Sequence, residues 1–244
     1  MSSGMSKPVF HRFTRVMQER PARDLHIHTT ITDGSSTLEE YVKRAIELNL
    51  QEIAFTEHVR KTTSWFPSFV EQVDRLQESY RDAIKIYHGI EAKILDLDGH
   101  LDATDEMLDT AQIILGSVHR FPKFCMKGYE NWHEIPRDEF ARIEFSLSEA
   151  IITKSEADVL AHPGGMYTRK FHEPFPERYQ ETLIALANKY DTAIEINSSY
   201  LQDVSFNGDL FSRLNPCISL GSDAHEKEEL GTVIRFISTI QQQV

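Results

Sequence analysis

Imidazoles and carboxylates fall at regular stations along this chain. Asp24-Leu-His26-Ile-His28, Phe55-Thr-Glu57-His58, Gly89-Ile-Glu91, Gly116-Ser-Val-His119-Arg120, Leu160-Ala-His162-Pro-Gly, Ile194-Glu195-Ile-Asn197 and Gly221-Ser-Asp223-Ala-His225 each close a short apolar run. Neutral imidazole with carboxylate and no thiolate is a donor set for Zn²⁺, Mn²⁺ or Fe²⁺, and carboxylates able to bridge suit a cluster of ions. His26 and His28 stand two apart, as do Asp223 and His225. The period of 2 in an extended chain points both members of each pair to one side, as two ligands of one ion require. A histidine taken singly is more often a hydrogen-bonded core or surface side chain, and His11, His88, His100, His133 and His172 fit no station and keep that reading. Glu57 alternates away from His58 and is expected in a structural pairing, while Asp24, Glu195 and Asn197 are expected to orient ligands rather than bind an ion.

Such stations need strands to carry them. Short β-branched runs near Asp24–His28, Glu52–Thr56, Ile84–Ile90, Ile113–Val118, Asp158–Ala161, Ala193–Ile196 and Cys217–Leu220 read as seven strands. Helical spacing lies between them: Ser36–Leu48, with Ser36 and Glu39 as a capping box, then Phe69–Ala83, Asp138–Thr153, Pro176–Tyr190 and Lys227–Ile240. The alternation predicts an α/β domain with a parallel sheet, either a barrel or a doubly wound open sheet. In either, the C-terminal strand ends gather on one face, so stations spread over the whole chain converge. Residues 119–137 and 163–175 are long aromatic loops of the kind that carry function.

Composition narrows the classes. The chain has 244 residues, 40% apolar and 26% charged, with a formal charge of −12 and two cysteines far apart, Cys125 and Cys217. That is one folded domain, with neither a disulfide framework nor a thiolate zinc knuckle, and a reducing cytoplasm is the expected compartment. An acidic surface excludes tracking of nucleic acid by charge alone, and no apolar run reaches membrane-spanning length. Residues 1–23 read as a polar N-terminal leader and 24–244 as the functional domain.

The motifs DLHIHT, TDG, TEH, GIEAK, GSVHR, AHPGG and GSDAH, in this order from Asp24 to about Leu230, resemble the PHP (polymerase and histidinol phosphatase) superfamily. The resemblance implies a distorted, TIM-like (β/α)7 barrel with a trinuclear site that hydrolyses phosphate esters. Carried over residue by residue, His26, His28, Glu91 and Asp223 resemble the ligands of a first ion. Asp33, His58 and a bridging Glu91 resemble those of a second, and His119, His162 and His225 those of a third. Some members have His where this chain has Asp33, a harder oxygen ligand.

Cations follow several ligands: Arg60 and Lys61, Lys93, Arg120, and Arg169 with Lys170. In an acidic protein they suggest an anionic substrate, and Arg60, Lys93, Arg120 and Arg169 are the expected substrate contacts. The expected activity is hydrolysis of a small phosphomonoester by a metal-bridging hydroxide, with two to three divalent ions (Zn, Mn or Fe) and with Glu91 and Asp223 as the catalytic carboxylates. The alternatives are a phosphodiesterase acting on a nucleotide or oligonucleotide end and a noncatalytic metal-stabilised module.

Overall fold

Seven of the runs become parallel strands in sequence order. A computed structural model describes residues 6–200 and 206–240. Its strands are β1 (His11–Arg12), β2 (Arg23–Ile27), β3 (Glu52–His58), β4 (Lys85–Lys93), β5 (Ile113–Ser117), β6 (Val159–Leu160), β7 (Ala193–Asn197) and β8 (Cys217–Gly221). The helices are α1 (Phe13–Glu19), α2 (Leu38–Glu47), α3 (Phe66–Tyr80), α4 (Asp105–Thr110), α5 (Arg137–Lys154), α6 (Gly165–Phe171), α7 (Glu177–Tyr190), α8 (Gly208–Leu214) and α9 (Thr232–Ile240). The sheet order is β1-β8-β7-β6-β5-β4-β3-β2, with only β1 antiparallel. Among the described residues no helix is long and apolar enough to cross a membrane.

The seam of the barrel is where the distortion sits. β1 takes the start of β8, pairing His11 with Ile218 and Arg12 with Cys217, the edge that a fully closed barrel would give to β2. β2 meets β8 only beyond its end, through the single bridge Ile27–Ala224 and the bond from His28 N–H to Ala224 O, 2.9 Å. Part of the stretch expected as a polar leader therefore builds the seam: Phe13 and Val16 are buried, and the Arg23 guanidinium holds Val9 O at 2.6 Å and Glu52 at 3.0 Å. The sequence offered no periodicity here because the elements are too short to show one.

Strand alternation divides the core in two. Outward side chains such as Ile53, Phe55, Ile86, Ile218 and Leu220 meet the helices. Leu25, Ala54, Tyr87, Ile113, Leu115, Val159, Ala161 and Ala193 fill the barrel interior as a separate apolar plug. The cap of α2 lies one residue later than expected: Thr37 accepts from Glu40 N–H, and the Glu40 side chain closes the box in place of Ser36 and Glu39. The aromatic loop 119–137 holds only two short 3-10 turns, Lys123–Met126 and Trp132–Glu134, whereas 163–175 winds into α6.

Candidate metal centre

Two breaks in strand alternation bring the stations together. Leu25 belongs to the interior plug, so strict alternation would send His26 outward, but the β2–β3 register shifts between Asp24 and Ile27 and turns His26 and His28 inward above Leu25. Ala161 is likewise in the plug, and His162 follows it with φ of 29°. Asp223 adopts φ of 56°. Left-handed backbone at non-glycine residues costs on the order of 1–3 kcal/mol and persists where surrounding structure enforces it, as ligand positions do.

All nine expected ligands converge, with Glu91 at the centre. Its Oε1 lies 2.9 Å from both His119 Nε2 and His162 Nε2, which are 3.2 Å from each other. Its Oε2 lies 2.9 Å from His58 Nδ1 and 3.5 Å from His26 Nε2 and His28 Nε2. Asp223 Oδ1 stands 3.5 Å from His26 Nε2 and 3.3 Å from His28 Nε2. Asp33 faces His58 Nε2 at 3.3 Å and His225 Nε2 at 3.5 Å. His225 was expected beside His119 and His162. It lies instead with Asp33, His58 and His28, because its Nδ1 is tied to Asp223 O at 2.9 Å and its free nitrogen turns toward Asp33.

The donor set fits divalent cations. Ligand atoms about 2.0–2.2 Å from one ion stand about 2.8–3.6 Å apart at tetrahedral or octahedral angles. The separations above span that range. Glu195 Oε1 accepts from His26 Nδ1 at 2.7 Å, which fixes the proton there and leaves the Nε2 lone pair facing the carboxylates of Glu91 and Asp223 and, at 3.0 Å, His28 Nε2. Glu91 Oε2 is buried without a hydrogen bond. Acceptors that face acceptors call for a cation between them. Burial opposes charge on His26, yet in the absence of a cation Glu195, Asp223 and Glu91 outweigh it and hold the ring well above the usual imidazole range, so a bound cation would take the place of the proton that the carboxylates otherwise draw to Nε2. Burial also opposes ionisation of Glu91, and the imidazoles, His119 foremost, keep it well below the usual carboxylate range. Cys125 and Cys217 are free thiols outside the cluster.

The surrounding carboxylates hold backbone and rings. Glu195 Oε2 also accepts the His162 N–H at 2.6 Å and the Asn197 amide at 3.2 Å, so one side chain fixes two stations. Gly221 makes room for it, since a Cβ there would overlap Glu195 Oε1. Glu57 accepts from Thr29 N–H at 3.0 Å and from the Thr29 and Thr32 hydroxyls, shaping the loop that presents Asp33. Asp24 orients no imidazole ring. Beyond the register shift its carboxylate receives Ser222 N–H at 2.9 Å and Gly231 N–H at 2.8 Å.

A cleft of about 710 Å³ opens over the cluster, walled by Asp33, His58, His119, Asp223 and His225 on the polar side. Arg120 and Arg169 line it. Lys93 does not: its ammonium pairs with Asp102 at 3.0 Å, and Asp102 also takes Lys61 N–H at 3.0 Å. Arg60 is exposed and outside the cleft walls. Lys170 turns away to bind the carbonyls of Trp132, His133 and Ile135 at 2.8–3.1 Å. Motif reading missed Tyr200, whose ring stacks on His162 at 4.6 Å and under the Arg169 guanidinium at 4.0 Å, because nothing around it in sequence marks a station.

A family model for the PHP domain matches residues 24–199. The chain belongs to the PHP domain family. Asp223 and His225 lie beyond the matched span and join the site through the barrel seam. Among its relatives, a protein named "Probable phosphatase" from Pectobacterium carotovorum subsp. carotovorum is 27% identical over 221 residues, covering 85% of this chain and 80% of that one. A second of that name from Pectobacterium atrosepticum is 28% identical over 218 residues, with the same coverage. The crystal structure of histidinol phosphate phosphatase from Lactococcus lactis, complexed with zinc, L-histidinol and phosphate, superposes with a TM-score of 0.70 at 21% identity, covering 91% of this chain and 92% of that one. The two share the fold.

Proposed function

We propose that this PHP domain is a metal-dependent phosphatase that hydrolyses a small phosphomonoester and releases inorganic phosphate. The observation that carries the reading is Glu91, a buried carboxylate with five imidazoles around its two oxygens. In this reading His26, His28, Glu91 and Asp223 hold one cation, Glu91, His119 and His162 a second, and Asp33, His58 and His225 a third. Zinc and phosphate in the Lactococcus lactis relative support it. Bound divalent ions supply Lewis-acid charge and lower the pKa of a coordinated water toward neutrality.

The chain's own residues do the positioning. Glu91 and Asp223 are the catalytic carboxylates and fix the negative charge that gathers cations at the barrel mouth. Glu195 holds His26 in the tautomer that leaves Nε2 free, and holds the His162 backbone. Arg120 and Arg169 clamp phosphoryl oxygens from the rim, where charge grows in the transition state. No side-chain nucleophile is required.

Phosphate release from 4-nitrophenyl phosphate against cleavage of bis(4-nitrophenyl) phosphate, with Mn²⁺ or Zn²⁺ supplied, tests the reading. Faster turnover of the monoester is expected. Faster cleavage of the diester would transfer the assignment to a phosphodiesterase, and turnover of neither would contradict the enzyme.

A further inference from the structure

The cleft is larger than a phosphate needs, and its remaining walls have a definite character. Away from the cation ligands they are Phe121, Met126, Trp132, Met166 and Tyr200, with the guanidinium groups of Arg120 and Arg169. The only carboxylates among the described lining residues are Asp33 and Asp223, both committed to the cluster. Among the described residues neither Arg120 nor Arg169 has an ion-pair partner, while Lys93 is neutralised by Asp102. The described walls of the cleft therefore offer a leaving group apolar rings and thioethers, arginines without ion-pair partners, and no carboxylate beyond those of the cluster.

Trp132 is set for contact with a ligand. It is one of few large apolar side chains left substantially exposed, at 37%. Lys170 of α6 fixes its carbonyl along with those of His133 and Ile135, and its ring packs against His133 at 3.7 Å between ring centres. A rigid aromatic wall costs little further entropy when a ring packs against it.

From this we infer that, within the phosphatase reading on which it rests, the substrate is the phosphomonoester of a planar aromatic alcohol that is neutral or anionic and carries no ammonium group, with Trp132 as a specificity-determining residue. A cationic amino alcohol, such as the histidinol bound by the Lactococcus lactis relative, would meet Arg120 and Arg169 as like charges, with no compensating carboxylate among the described lining residues. An aliphatic alcohol would leave the ring wall wet. The rim arginines would accept a second acidic group on the alcohol as readily as the phosphate.

The test uses the metal-loaded full chain and four esters: phenyl phosphate, 4-carboxyphenyl phosphate, 4-(aminomethyl)phenyl phosphate and glycerol 3-phosphate. The three aryl esters share a ring and differ mainly in charge. The expected kcat/KM for the carboxyphenyl ester exceeds that for the aminomethyl ester by about tenfold or more. Trp132→Ala should shrink the phenyl over glycerol preference by about tenfold through KM, and Trp132→Phe should restore most of it. An aminomethyl ester turned over as fast as the carboxyphenyl one, or an aryl preference untouched in Trp132→Ala, overturns the inference and leaves the phosphatase reading standing. Release of phosphate from none of the four overturns both.

Discussion

The same strands build two layers inside the barrel. In the lower layer Leu25, Ala54, Tyr87, Ile113, Leu115, Val159, Ala161 and Ala193 form an apolar plug. One to four residues further along, His26, His58, Glu91, His119, His162 and Glu195 form a layer of imidazole and carboxylate, also largely buried. The plug follows strand alternation, whereas the upper layer violates it wherever β2 bulges and His162 turns left-handed. Stability and chemistry are thus stacked on one scaffold: the lower layer holds the strands together by burial, and the upper one gathers groups that repel or desolvate one another unless a cation joins them.

Perturbing the two layers should give opposite phenotypes. Chelation should abolish phosphate release while the far-UV circular dichroism and a cooperative thermal transition persist, because the plug needs no metal. Leu115→Ala should cost about 2–5 kcal/mol of unfolding free energy yet leave metal content intact in the folded fraction. Unfolding on chelation, or loss of metal from folded Leu115→Ala, would show that the layers are one unit.

A smaller effect sharpens the boundary between them. Glu195 touches no other cation ligand than His26 and the His162 backbone, so Glu195→Gln should weaken metal affinity or activity by about 10–100-fold, measured by competition with a chromogenic chelator. Unchanged affinity would remove Glu195 from the positioning role.

Much of this arrangement is legible in the sequence, for physical reasons that also mark where legibility stops. Buried parallel strands write continuous apolar runs, and their C-terminal ends must face one barrel mouth, so the convergence of His26 with Asp223 follows from pattern alone. The bulge that separates Asp24 from His26 leaves no mark, since it is a matter of register and not of composition. The placement of His225 beside Asp33 depends on a backbone carbonyl, that of Asp223, which no motif records. Lys93 and Arg169 look alike in sequence, and only the fold brings Asp102 to one and Tyr200 to the other. α1 and β1 escape because they are too short to carry a period.

A separate effect concerns pH. Glu144 on α5 accepts the N–H groups of Met166 at 3.0 Å and Tyr167 at 2.7 Å at the start of α6, and burial pushes its carboxyl up to about 8, more than those donors pull it down. The folded chain then keeps a proton that the unfolded chain, with the ordinary carboxyl value of 4.5, gives up. Stability from this group is therefore full below the unfolded value and declines as pH rises from there to about 8. Glu144→Gln should flatten that decline in urea unfolding curves, and an equal slope in both proteins would assign the dependence elsewhere.

The central claim is that Glu91 serves two cation sites at once. Elemental analysis of the purified protein and of Glu91→Gln and His119→Ala, each dialysed against the same metal buffer, tests it most directly. The parent should carry about two to three ions per chain, His119→Ala should lose about one, and Glu91→Gln should lose more. A Glu91→Gln protein that is folded and retains the full parental metal content would contradict it.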